Sequence, residues 1–141
     1  MNLYSQSKVA AYRSVSAHGI AASADPHGLV LAVFDAILDR LATAGACIER
    51  GDIARKASLL HSCVVLVAEL RGSLNLGQGG SLAQNLSDLY EYMARRLLHA
   101  NLNSDAAAVK EVAGLLKEIR GAWAAIGPQV RGQAPRAASA A

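Results

Sequence analysis

Apolar residues recur at every third or fourth position in four long stretches of the chain, the spacing that lays side chains along one face of an α-helix. In the first stretch Val30, Phe34, Ile37, Leu41, Ala44 and Ile48 step by four and three. Leu60, Cys63, Val67, Leu70 and Leu74 continue the pattern, followed by Leu82, Leu86, Leu89, Met93, Leu97 and Ala100. Val109, Val112, Leu116, Ile119, Trp123 and Ile126 complete it. Each stretch fits a helix of about 20–25 residues, roughly 30–37 Å long at the standard rise.

Stop and start signals lie between the runs. Asp25 is placed to cap the first helix and Pro26 follows it at a position where no N–H is needed. Gly51 ends that helix, and Asp52 caps the second. Gly77, Gly79 and Gly80 reverse the chain before the third, with Ser81 and Gln84 as a capping box. Ser104 is the expected cap of the fourth helix, and Gly127 with Pro128 its stop. Short links make sequential helices antiparallel, so the pattern predicts an all-α, up-down-up-down four-helix bundle over residues 25–127. Residues 1–24 form an N-terminal arm, in which Tyr4, Val9 and Tyr12 suit a short amphipathic turn or extra helix. Residues 128–141, small and polar without a repeat, are expected to form a flexible tail.

Composition narrows the class. A chain of 141 residues suits one domain. Although 52% of its residues are hydrophobic, no apolar run approaches the roughly 20 residues of a membrane span. The N-terminus lacks the pattern of a signal peptide, so a cytoplasmic protein without membrane insertion is expected. The net charge of +3 comes from the ends: all 11 acidic residues but only 10 of the 14 basic ones lie between Asp25 and Arg120. A nearly neutral body lacks the basic face of a nucleic-acid binder. Cys47 and Cys63 fall at different heights along the first two helices and are read as buried free thiols.

Catalytic chemistry finds no foothold. The glycine cluster is not followed by GK[ST] and is preceded by a helical repeat, so it does not form a phosphate-binding loop. His18, His27, His61 and His99 are scattered, no Glu is followed by His three residues later, and neither C-x-x-C nor H-E-x-x-H occurs. Neither His61 nor His99 has a basic residue or glycine in the next turn to support a phosphohistidine. The chain calls for no enzyme activity, cofactor or metal.

Its excess is apolar. Outside the seams lie Leu29 and Val33 on the first helix, Leu59 and Leu66 on the second, Tyr90 and Leu98 on the third, and Leu115 on the fourth. A wide core face accounts for some of them in a monomer. Grooves for amphipathic segments of a partner, or faces of a homo-oligomeric bundle or general helical interaction module, are the other uses of such residues.

Three segments carry a family resemblance: ADPHGLVLAVFDAILDRL at 24–41, GQGGSLAQNLSDLYEYMARRLLHANLNSD at 77–105 and EVAGLLKEIRGAW at 111–123. Together they resemble the flagellar secretion chaperone FliS, from Val9 to Ile126. The most specific element is the ordered run GG-x-x-A-x-NL-x-x-LY-x-YM-x-RRL, which contains Asn85, Leu86, Leu89, Tyr90, Tyr92, Arg95 and Arg96. The resemblance implies a non-catalytic bundle that holds the C-terminal region of flagellin, prevents its polymerisation in the cytoplasm and delivers it to the flagellar export gate. Other regulators of flagellar assembly are implied as further partners. It also implies that Val9 and Tyr12, at the family's arm positions, contact the gate or cover a groove when no client is bound. Groove candidates are then Leu29, Val33, Leu59, Leu66, Asn85, Leu89, Tyr90, Leu98 and Leu115. Asp25 replaces a usual serine, Phe34 a common tyrosine and Asn75 a frequent aspartate.

Overall fold

Helix-forming pattern and caps yield four helices in the computed structural model, which describes residues 25–140, with side chains described through Gly127. They are α1 (Pro26–Arg50), α2 (Ile53–Gly72), α3 (Leu76–Asn103) and α4 (Ala106–Ala140). Each helix packs on two neighbours, α1 on α2 and α4, and α3 on α2 and α4, so the chain closes an antiparallel four-helix bundle. The arm, with Val9 and Tyr12, lies outside the described residues.

The first two helix starts form as their sequences dictate. The Asp25 side chain accepts a hydrogen bond from the His27 N–H, and Asp52 accepts one from the Arg55 N–H. Gly51 closes α1 in the left-handed conformation at φ 74°. Other boundaries differ from the sequence expectation. The break between the helices starts before the glycines, at Ser73–Asn75, where Asn75 caps a first turn by accepting from the Gln78 N–H, and extends to Gly80, where the backbone leaves helical geometry. Leu74 therefore leaves the helix while still packing against the core. Gly80 kinks α3 one turn later at φ 58°, ψ −138°. The Ser81 capping box is not made, since Gln84 reaches forward to Asp88 at 2.9 Å.

The α3–α4 corner is also reassigned. Ser104 ends α3 in the left-handed region, φ 50° and ψ 49°. Asp105 caps α4 instead, its carboxylate accepting from the Ala107 and Ala108 N–H groups. Buried Lys56 bridges this corner by donating to the Asn101 carbonyl at 2.7 Å and the Ser104 hydroxyl at 2.9 Å. A cation thus meets the negative end of the α3 dipole. Finally, α4 does not stop at Gly127–Pro128 but runs to Ala140. The segment beyond Pro128 carries Pro135 and Gly132 among its alanines, so local helix propensity does not explain the continuation.

The core contains Phe34, Ile37, Leu41, Leu60, Val67, Met93, Leu97 and Leu116 as large buried side chains. On α3 the seam runs through Ala83, Ser87, Tyr90, Met93, Leu97 and Ala100. Leu82, expected in that seam, is instead 69% exposed. Ala83 takes that place because the seam continues back from Met93 through Tyr90 and Ser87. Cys47 and Cys63 are buried and form no disulfide, as expected. Burial pushes the Cys63 thiol up to about 12, against the opposing charge of Arg40.

Candidate functional site: the uncovered helix edges

The bundle has four long edges, and cross-links between helices fix which residues lie on each. On the α3/α4 edge the Tyr92 hydroxyl donates to Glu111 at 2.5 Å, and Arg96 Nε donates to the same carboxylate at 2.7 Å. These bonds hold the Glu111 carboxyl below its ordinary range, the Tyr92 hydroxyl contributing most and Arg96 next. Leu89 is one turn before Tyr92, Asn85 one turn earlier, and Leu115 one turn past Glu111. The three candidates therefore share one edge. Leu89 and Leu115 are half-buried against the core, while Asn85 is exposed.

The α1/α2 edge gathers a second set. Cys63 Sγ donates to the Ile37 carbonyl at 3.8 Å, bringing the two helices together midway. Val33 and Leu29 lie one and two turns before Ile37, and Leu59 and Leu66 flank Cys63. Leu29 is 40% exposed, and Val33 and Leu59 are half-buried. On the α2/α3 edge Arg71 bonds Ser87 and Glu91, and Leu98, two turns past Glu91, is exposed with Leu102 and Ile53. The remaining candidates differ in kind: Leu66 and Tyr90 are core residues, and burial raises the Tyr90 hydroxyl above its ordinary pKa.

Between α1 and α4 lies a groove that the sequence pattern did not indicate, with a volume of about 540 Å³. Ala42, Gly45, Ala46 and Ala113 form much of its floor, with Asp39 and Glu49 along one wall and Lys110 and Lys117 along the other. Large apolar residues signal a face by presence, whereas this groove arises from small residues that leave space. The spacing of Ala42, Gly45 and Ala46 was its only sequence signal. At the end of the same helix pair, Arg120 forms a two-point ion pair with Asp35, and His27 stacks on Trp123.

Among the described residues, no group of three or more His, Cys, Asp or Glu side chains is placed to hold a metal. No helix among them is long and apolar enough to cross a membrane. What the edges present is a set of separated apolar strips, bordered by neutral and charged polar side chains, suited to binding chain segments.

The family model described as "Flagellar protein FliS" matches residues 8–130. The chain is 40% identical over 135 residues to the flagellar secretion chaperone FliS of Salmonella typhimurium, covering 95% of this chain and 100% of that protein. It is 36% identical over 121 residues to the flagellar secretion chaperone FliSB of Pseudomonas aeruginosa, covering 86% and 96%. Against FliS of Escherichia coli the identity is 34% over 122 residues, covering 86% and 90%.

Proposed function

Because this chain belongs to the FliS family of flagellar secretion chaperones, we propose that it binds the C-terminal region of flagellin in the cytoplasm, keeps it from polymerising and hands it to the flagellar export gate. The structural observation that carries the reading is the distribution of apolar residues around the bundle. Leu89 and Leu115 lie on one edge, and Leu29, Val33 and Leu59 on another. One compact ligand could not reach both edges, but an extended client wrapping the bundle could.

Such a client has an apolar stripe that would otherwise assemble with its own kind. Holding it needs many weak contacts that can be undone at the gate, not a reaction. The protein acts without enzymatic activity. Burial of distributed leucines supplies the attraction, while ordering of a flexible client opposes it and moderates affinity. Arm residues Val9 and Tyr12 are proposed to contact the gate or cover a groove, and other flagellar assembly regulators are proposed as further partners.

Titrating the full chain with the purified C-terminal segment of flagellin, while following complex mass in solution, tests this function. A one-to-one complex is expected. An oligomer of the chain that ignores the segment would instead identify a homo-oligomeric interaction module.

A further inference from the structure

We propose that the glycine kink of α3 builds an apolar socket that receives one bulky, uncharged side chain of the bound flagellin segment, an inference that rests on the function proposed above. Gly80 sits at φ 58°, ψ −138°, where side chains are poorly tolerated. A Cβ on neighbouring Gly79 would lie 2.5 Å from the Ala83 Cβ. The two glycines thus let the turn Leu76–Gly79 fold closely beside the start of the continuous helix. Between them lies a shallow crevice of about 310 Å³, open to solvent along most of its rim and lined by Leu74, Asn75, Gln78, Gly79, Leu82, Ala83 and Leu86.

The lining defines the occupant. Asn75 donates from Nδ2 to Gln78 Oε1 at 3.1 Å and accepts the backbone N–H of Gln78 at Oδ1, which ties both polar side chains to the turn. No charged residue lines the crevice. Its small volume, near the lower end of ligand pockets, fits one large aliphatic or aromatic side chain better than a helix. Leu82 remains 69% exposed, as an unfilled socket wall would be.

Position identifies the source. Leu82, Leu86 and Leu89 follow one another at helical spacing, carrying the apolar track from the socket to the α3/α4 edge. A client segment seated beside Leu89 and Leu115 therefore has a continuous path to the crevice. The socket would fix the register of that segment, which a uniform leucine track alone would leave free to slide.

A full-length Leu82→Cys variant provides a test, because native Cys47 and Cys63 are fully buried and contribute little background to thiol labelling. Labelling of position 82 is expected to be fast in the free chain and to slow severalfold when the flagellin segment is bound. Leu82→Asp, at an exposed position, should keep the parent helical signal but lose about tenfold in affinity for the segment. If the parent binds while labelling is unchanged or Leu82→Asp binds equally well, the socket proposal fails and the chaperone reading stands. Slow labelling in the free chain would overturn it too, by showing that residues 1–24 or a second copy already cover the socket. Failure of the parent to bind the segment would overturn both proposals.

Discussion

His27 and Trp123 hold the first turn of α1 to α4 from both sides. His27 Nε2–H donates to the Trp123 carbonyl at 2.6 Å, Trp123 Nε1–H returns a bond to the His27 carbonyl at 3.0 Å, and the rings stack with centroids 4.7 Å apart. Gly127 makes room for the ring, since a Cβ there would meet His27 Cε1 at 2.5 Å. Gly127→Ala is accordingly expected to disturb the stack and cost about 1–3 kcal/mol by overpacking. A lower denaturation midpoint and altered emission of Trp123, the chain's single tryptophan, are the signals to measure. A second residue-scale prediction concerns acid. Glu111 is held below the ordinary carboxyl range by Tyr92 and Arg96, and Asp105 by its bond from the Ala108 N–H. Lower folded than unfolded pKa values mean that these groups stabilise the bundle above the unfolded values and lose that contribution as pH falls through the folded ones. The melting temperature should therefore fall below about pH 4, and less steeply in Glu111→Gln, whose edge contacts no longer titrate. Melts of both proteins between neutral and acidic pH test this, and equal acid dependence would assign the loss to other groups.

Helix identity was legible because period and core burial agree: Phe34, Ile37, Leu60, Met93, Leu97 and Leu116 were all placed inward by spacing alone and are buried. Helix ends were less legible where several residues could do the same work. Ser104 and Asp105 are both good caps, but only the carboxylate reaches the free N–H groups of α4, while Ser104 turns to meet Lys56. The glycine cluster likewise signalled broken helix geometry without saying whether it made a loop or a kink. Leu82 and Tyr90 exchanged their expected exposure because the seam through Ala100, Leu97 and Met93 continues back through Tyr90, Ser87 and Ala83, not through Leu89, Leu86 and Leu82. The three site candidates of the α3/α4 edge, Asn85, Leu89 and Leu115, could not be grouped without the Tyr92–Glu111 and Arg96–Glu111 links between distant segments. At the far end, the extension of α4 past Pro128 sets an element-scale expectation. Removing residues 131–141 should leave the denaturation midpoint and flagellin-segment binding nearly unchanged, since that segment has no large apolar residue to bury. A calorimetric binding curve and a denaturant melt check it, and a marked loss in either would make the end of α4 part of the working surface.

At the scale of the molecule, the four helices pack in a ring and bury their core without using all their apolar surface. Leu29, Ile53, Leu82, Leu98 and Leu102 remain exposed at several positions around it. This arrangement separates stability from the proposed binding: the central residues hold the bundle together, while under the proposed function the edge residues exchange water for a client without repacking the core. Because each edge lies between two rigid helices, it best accepts a chain whose side chains repeat at helical spacing. The flagellin segment should consequently gain helix as it binds, forming a one-to-one complex whose circular dichroism at helical wavelengths exceeds the sum of the separate components. Apolar burial should also give a negative heat-capacity change of association. Isothermal titration at several temperatures, combined with circular dichroism across the stoichiometric point, distinguishes this from docking of a preformed surface. A simple sum of spectra with a negative heat-capacity change would mean that the client binds without gaining helix. If the heat capacity were also unchanged, contacts other than the uncovered leucines would have to provide the attraction.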